Sequence, residues 1–75
     1  MSAIKHEVKR HLAVLSTNEN TGWTKEANIV SWNGSREKLD IRDWSPDHSK
    51  MSKGITLTED EARVLGLAIA DLFKR

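Results

Sequence analysis

The region from residue 36 to residue 57 constrains the fold more than any other part of this 75-residue chain. Between residues 36 and 44, charged and apolar side chains alternate, as in a strand with one face toward a core. Leu39 and Ile41 share the aliphatic face, while the opposite parity carries Lys38, Asp40, Arg42 and Trp44. Pro46 ends the strand, because proline has no N–H to donate to a sheet. The pattern predicts an aliphatic face that suits a covering helix and a charged, aromatic face that looks outward.

Three further strands and a helix complete the predicted order. Residues 4–16 indicate a long strand, bent or bulged, although a helix is also compatible with them. Residues 23–33 are rich in β-branched and aromatic types and are predicted to form the second strand. The pair Asn33-Gly34 at its end indicates a hairpin turn into the third strand, residues 36–44. A loop at 45–52 precedes a short fourth strand at 53–57. We therefore predict an α+β fold, a four-stranded antiparallel curved sheet followed by one C-terminal helix.

The C-terminal helix is predicted to begin after Thr58, since Thr58 and Glu61 have the spacing of a capping box. Apolar side chains cover about 180° of this helix, whereas packing on one small sheet needs a stripe of roughly 100°. We interpret the surplus as the contact surface of a homodimer packed through its helices, with these interface residues: Leu65, Ala68, Ile69 and Leu72. The alternative is that the first strand or a loop covers the surplus.

Composition narrows the class of protein. The chain has no cysteine, which excludes disulfides and thiolate metal clusters, and its net charge of +1 does not by itself indicate a nucleic-acid partner. No stretch has the pattern of a signal peptide or a membrane span. We expect a single cytoplasmic domain over residues 1–75, with no membrane partner and with nucleoid association left open.

No pattern in the sequence indicates catalysis or a cofactor. Asp47-His48-Ser49 combines an acid, an imidazole and a hydroxyl, but three consecutive residues rarely converge as a catalytic triad requires. His6 and His11 are five residues apart, which in a regular strand places them on opposite faces and makes them a poor metal pair. We therefore expect no enzyme activity, no metal site and no cofactor.

The three tryptophans are the strongest indication of function. Sequence-tolerant binding of single-stranded nucleic acid uses aromatic rings for base stacking, interleaved with cations for phosphates. Two groups of strand residues have this composition: Trp23 with Lys25, and Trp44 with Arg42 and Lys38. Trp32 shares the parity of Val30 and is predicted to be a core residue. Trp23 and Trp44 share the parity of cations, so we interpret them as exposed stacking residues; the alternative is that all three indoles are buried.

Residues 38–65, KLDIRDWSPDHSKMSKGITLTEDEARVL, resemble the C-terminal domain of the eukaryotic transcriptional coactivator called positive cofactor four. The similarity is carried by Asp40-Ile41-Arg42 with Trp44 soon after, by the acidic, proline-containing loop, by the run from Lys53 to Leu57, and by the capped helix. The chain is most similar to the short bacterial YdbC-type members. Those members share Gly22-Trp23, Lys25-Glu26, Val30-Ser31-Trp32-Asn33 and Trp44-Ser45-Pro46-Asp47-His48.

This resemblance implies a β-β-β-β-α subunit that dimerises through its helices and binds single-stranded DNA largely independently of sequence. Arg42 and Trp44 fall at the family's binding positions, Lys38 and Lys53 fall where the family is basic, and Trp23 and Lys25 match the bacterial type. We predict a DNA-binding homodimer that serves transcription, replication or repair. Two alternatives stay open: an RNA partner, since nothing in the sequence selects for or against a 2′-hydroxyl, and a protein-interaction module whose exposed tryptophans bind a peptide.

Overall fold

The computed structural model describes residues 5–74 and consists of an antiparallel sheet followed by a helix. The elements are β1 (His6–Thr17), β2 (Thr24–Trp32), β3 (Lys38–Trp44), β4 (Ile55–Leu57) and α1 (Glu59–Leu72). The strands lie in the sheet in their chain order, β1-β2-β3-β4. The predicted fold class and element order are therefore confirmed. Ile4, where the first strand was expected to begin, lies outside the described residues. Across residues 5–74, no helix combines the length and the apolar character needed to cross a membrane.

β1 is a bulged strand, as one of the two sequence interpretations predicted, and the helical alternative is wrong. Its pairing with β2 shifts register at three places: between Val8 and Arg10, His11 and Ala13, and Val14 and Ser16. Each shift places an extra residue in β1. His6 pairs with Trp32 and His11 with Asn28, so both histidines lie on the same face of the sheet. The expectation that they lie on opposite faces is wrong, because it assumed a regular strand.

The pairing of β2 with β3 brings residues of even number onto one face. Thr24 lies opposite Trp44, Glu26 opposite Arg42, and Asn28 opposite Asp40. We name the sheet surface formed by these even-numbered residues of β2 and β3 the polar face. The other surface is aliphatic where it faces α1: Ile29 and Leu39 border a cleft together with Ala62 of α1. The helix therefore lies on the aliphatic side, as the alternation in β3 predicts.

α1 begins with the predicted capping box. The hydroxyl of Thr58 accepts a hydrogen bond from the N–H of Glu61 at 3.2 Å, and the Glu61 carboxylate accepts one from the N–H of Thr58 at 2.8 Å. No residue of α1 is buried within the single chain, and Leu65, Ile69 and Leu72 are 39%, 45% and 72% exposed. Covering of this apolar surface by β1 or by a loop, the alternative raised from the sequence, is therefore wrong within residues 5–74.

Candidate nucleic-acid interface

The centre of the polar face is a buried polar cluster. Asp40, Asn28 and Glu26 are 0%, 2% and 4% exposed, and they lie on the same face between two buried apolar residues, Val30 and Trp44. A buried charge is tolerated when a partner neutralises it and hydrogen bonds satisfy it. The expectation that this face looks outward is therefore wrong at its centre, and the partners of Asp40 and Glu26 decide what the face can bind.

Arg42 neutralises Asp40. Its Nε donates to Oδ2 and its Nη2 to Oδ1, both at 2.7 Å, which is the bidentate geometry of a strong charge-assisted pair. The hydroxyl of Thr56 donates to the same carboxylate at 3.1 Å. Nη1 of Arg42 donates to the carbonyl oxygen of Ser52 at 3.2 Å, and the guanidinium lies 4.7 Å from the ring centroid of Trp32. The guanidinium predicted to bind phosphate is thus largely committed to contacts within the chain, and its side chain is 13% exposed.

Glu26 is the second buried charge of the polar face. Its carboxylate accepts hydrogen bonds from Thr24 Oγ1 at 2.6 Å, from His48 Nε2 at 2.8 Å and from Asn28 Nδ2 at 3.4 Å. Burial raises the pKa of Glu26, but the hydrogen bonds from Thr24, His48 and Asn28 outweigh burial, and the pKa is lowered overall. Glu26 is therefore ionised at neutral pH, and His48 carries a proton on Nε2, since a carboxylate can only accept.

Trp44 is 2% exposed, so the interpretation of this residue as an exposed stacking ring is wrong. Two imidazoles lie against its indole, those of His6 and His48, each with its centroid 5.6 Å from the ring. The chain after β3 turns back, and Met51 forms a bridge with the backbone of Trp44. Parity correctly placed Trp44 on the same side as the cations, but it could not indicate that another part of the chain covers that side.

A groove of about 540 Å³ crosses the polar face between β1 and the loop after β3. We name it the histidine groove, because all three histidines of the chain line it. His11 is the third: its Nδ1 lies 2.8 Å from the side-chain oxygen of Asn28 and 3.7 Å from the Glu26 carboxylate. The remaining lining comes from Glu26, Asn28, Trp44, Val8 and Val14. The groove thus combines aromatic rings with an ionised carboxylate and an amide, which is a lining suited to the flat ring and polar edge of a base.

The six residues predicted to bind nucleic acid do not form one surface. Lys25 lies opposite Asp43, and these two residues border a shallow cleft with Trp23 on the face away from the histidine groove. Trp23 is half-buried and Lys25 is exposed. Lys38, Arg42 and Trp44 lie together on the polar face, and Lys53 is exposed in the loop between β3 and β4.

Sequence reasoning missed Glu26, Asn28 and His48 as functional candidates. A usable signal existed for the first two, because polar residues that share the parity of the core residue Val30 are expected to be buried and to need partners. No periodic pattern marks His48, because it lies in a loop.

The loop residues Asp47, His48 and Ser49 do not converge. Asp47 accepts from the N–H of Ser49 at 3.0 Å, from its hydroxyl at 2.7 Å and from the hydroxyl of Ser45 at 2.9 Å. The first of these bonds has the largest effect, and together they lower the pKa of Asp47 to about 2. His48 instead turns toward Glu26, with a φ of 61°. Asp47 therefore shapes the loop, and His48 contacts the sheet.

Comparison with known proteins places this geometry in a family. Residues 19–66 match the family described as Transcriptional Coactivator p15 (PC4), whose members bind single-stranded DNA and are not enzymes. A protein of Treponema pallidum (strain Nichols), described as uncharacterized, is 57% identical over 56 residues, which cover 75% of this chain and 65% of that protein. The chain thus spans slightly less than two thirds of the length of this relative. Since the family match extends over well more than half of the sequence and includes β2, β3, β4 and the start of α1, the chain belongs to the p15 (PC4) coactivator family.

Proposed function

We propose that the protein is a homodimer that binds single-stranded DNA on its polar face and performs no catalysis. The observation that carries this proposal is the family match over residues 19–66, the region that builds the polar face and its loop. The geometry supports it, because the histidine groove offers aromatic and polar contacts for bases, and Lys38 lies at an even-numbered position of β3, on the side of the sheet that carries the groove.

Charge within the polar face suggests how a strand lies on it. Arg42 neutralises Asp40, and His48 contacts Glu26, so the centre offers little net attraction for phosphates. Lys38 at the start of β3 and the exposed Lys53 in the loop lie outside this centre. We therefore assign phosphate contacts to Lys38 and Lys53, and base contacts to the groove. Arg42 holds Asp40 and the loop in place, with at most a minor phosphate contact.

Trp23 and Lys25 form an accessory contact in this proposal. The two residues border one cleft, where a half-buried indole lies beside an exposed ammonium group. That pairing suits one stacked base and one phosphate, and stacking on an aromatic residue contributes ~1–3 kcal/mol per base. A strand that passes around the edge of the sheet would contact this cleft after leaving the polar face.

The dimer completes the proposal. Val64, Leu65 and Ala68 of α1 border an apolar cleft together with Ile55 and Leu57 of β4. A second copy of α1 would cover this surface through Leu65, Ala68, Ile69 and Leu72. Two linked polar faces would also bind one long strand more tightly than either face alone, because the second contact becomes intramolecular.

Fluorescence anisotropy with a labelled strand of about 20 thymidines tests the function, since sites for single strands span several nucleotides. We expect saturable binding to the single strand, weak binding to duplex DNA, and affinity that falls as salt rises. Lys38→Gln and Lys53→Gln should each reduce the slope of log affinity against log salt by about 0.7, whereas Lys74→Gln should not change it.

Absence of binding to any single strand would contradict the proposal. Tighter binding to the corresponding uridine strand would favour RNA as the partner. Binding of peptides that oligonucleotides do not compete with would favour the protein-interaction alternative.

A further inference from the structure

His48 makes the two kinds of contact by which a protein holds a nucleobase. Its ring lies against the indole of Trp44, with centroids 5.6 Å apart and planes inclined by 32°. At the same time its Nε2–H donates to Oε2 of Glu26 at 2.8 Å. A bound base is held by stacking on an aromatic side chain and by hydrogen bonds along its edge. The imidazole therefore occupies a position that a base could take.

The loop can release this ring without losing its own shape. The side chain of His48 is 55% exposed, although its tip reaches a carboxylate that is almost fully buried. The turn around it is held by other groups: the N–H of His48 donates to the carbonyl oxygen of Ser45 at 2.9 Å, and Asp47 accepts from Ser49 and Ser45. A φ of 61° is uncommon for a residue other than glycine, which indicates that the turn holds His48 in this position. Rotation of the side chain alone would remove the ring from Trp44 and from Oε2 of Glu26.

When the imidazole moves away, the Glu26 carboxylate loses a hydrogen-bond donor. Glu26 is 4% exposed and would retain the hydrogen bond from Thr24 and the long contact from Asn28, with His11 Nδ1 at 3.7 Å, beyond hydrogen-bond distance. A buried carboxylate that loses a donor is costly unless the incoming group replaces it. The same negative charge repels phosphates, so the group that replaces His48 is a base and not the backbone of the strand.

We infer that His48 is an intramolecular placeholder for a nucleobase, and that the histidine groove takes guanine in preference to the other bases when single-stranded DNA binds. The inference rests on the proposed function and adds a base preference to it. Guanine presents N1–H and the N2 amino group side by side, which matches the two oxygens of a carboxylate. Adenine and cytosine present an amino group beside an unprotonated ring nitrogen, whose lone pair faces the second oxygen. Thymine presents one N–H between two carbonyl oxygens, which the carboxylate repels.

The test compares strands of about 20 thymidines that differ only at one central nucleotide, which is guanosine, adenosine, cytidine or thymidine. For the unmodified protein we expect the guanosine strand to bind about three- to tenfold more tightly than the all-thymidine strand. Glu26→Gln should bring this ratio to about one, because an amide offers one acceptor where guanine needs two. Circular dichroism checks that the variant is folded.

His48→Ala provides an independent measurement, because this side chain is exposed and the loop keeps its own hydrogen bonds. Circular dichroism checks that this variant is folded as well, since Glu26 loses one donor. Without the competing imidazole, the guanosine strand should bind several-fold more tightly than it binds the unmodified protein, since no bound state has to be disrupted first. Acrylamide should also quench the tryptophan fluorescence of the free protein more strongly. Asn20→Ala, an exposed change in the loop after β1, is the control and should change neither quantity.

The binding measurements distinguish an error in the guanine preference from an error in the proposed single-stranded DNA binding. If no strand binds, the proposed function itself is contradicted. If all four strands bind equally and Glu26→Gln has no effect on their ratio, single-stranded binding stands and the guanine preference is overturned. An unchanged acrylamide response in His48→Ala would overturn the placeholder role.

Discussion

Asp40 is fully buried, and Arg42 supplies the charge that neutralises it. Removing one partner of a buried pair leaves an uncompensated charge, which costs roughly 3–5 kcal/mol of folding free energy. We therefore predict that Arg42→Ala loses stability on this scale, as measured by urea denaturation.

The control for this prediction is Arg63→Ala. Arg63 pairs with Glu59 at 2.7 Å, but both side chains are mostly exposed, at 66% and 78%. An exposed pair four residues apart in a helix contributes about 0.3–0.5 kcal/mol. If the two variants unfolded at similar urea concentrations, the structural role of Arg42 would be wrong.

Two carboxylates make stability depend on pH in the acid range. The hydrogen bonds to Asp47 lower its pKa from 3.8 to about 2, and those to Glu26 lower its pKa despite the opposing effect of burial. A carboxylate whose pKa is lower in the folded state stabilises the fold above its unfolded pKa, and this stabilisation is lost as the pH falls through the folded pKa.

The melting temperature should accordingly fall from about pH 5 toward pH 2. Asp47→Asn should make that fall shallower, because the asparagine side chain does not titrate. A control with the exposed Glu19→Gln, in the loop after β1, should leave the profile unchanged. A melting temperature that is flat between those pH values would contradict this account of both carboxylates.

For single residues, burial could be predicted from the sequence only where it follows from the alternation of the residue's own strand. The parity of β2 groups Glu26 and Asn28 with Val30, and all three are buried. For Trp44 parity gave the side correctly, yet its exposure is set by His6 and His48, which reach it from β1 and from a loop. Such tertiary cover is not encoded in the alternation of a single strand.

Among the elements, the hairpin of β2 and β3 decides which predicted residues meet. The Asn33-Gly34 turn forms as expected, with φ values of 52° and 75° and a 2.9 Å bond from the Ser35 N–H to the Trp32 carbonyl oxygen. If regular pairing continued from that turn, Lys25 would lie opposite Arg42. Lys25 instead lies opposite Asp43, so β3 gains one residue relative to β2 after the turn. A shift of one residue exchanges the faces of a strand, which separates Trp23 and Lys25 from Arg42 and Trp44.

β1 shows the same limit of sequence reasoning. Its mixed periodicity indicated a bulged strand, but the number and positions of the bulges follow from pairing with β2. Those bulges bring His11 to the face of His6 and so create the histidine groove.

Gly54 allows β4 to approach β3. A side-chain carbon at this position would overlap with the Cβ of Arg42 and with the carbonyl oxygen of Ile41. We predict that Gly54→Ala costs roughly 1–3 kcal/mol, the usual range for forcing extra atoms into a packed site. Gly66→Ala in α1 meets no atom within 4 Å, and should stabilise the chain by up to about 1 kcal/mol through helix propensity. Equal unfolding midpoints for the two variants would contradict the close approach of β4.

For the whole molecule, the exposed apolar side of α1 is the surface that the proposed homodimer would bury. We predict that the protein sediments with twice the mass of one chain, and that Leu65→Asp combined with Ile69→Asp produces a monomer, because two charges cannot be buried unpaired between apolar helices. Arg63→Gln, a polar change on another face of the same helix, should leave the mass unchanged. A monomeric unmodified protein would show that a different partner covers these residues.

The fold was accessible from the sequence because its evidence is local. Alternation in β3, the Asn33-Gly34 turn and the Thr58 capping box each act over a few residues, and their order agrees with the family resemblance. The candidate site was less accessible, since it depends on the β2–β3 register, on the bulges of β1 and on the position of His48, all of which involve residues far apart in the chain.

The chain order of the strands has a consequence for how the protein forms. Each strand pairs with the one that precedes it in the sequence, so every ladder closes a short connection and carries a small entropic cost. Such local topology favours fast formation of the sheet within one chain. In the proposed homodimer, by contrast, the apolar side of α1 would gain its stabilisation only when two chains meet. Maturation would then divide into a rapid step that is independent of concentration and a slower encounter, so the abundance of the chain in the cell would set how much of it is fully assembled.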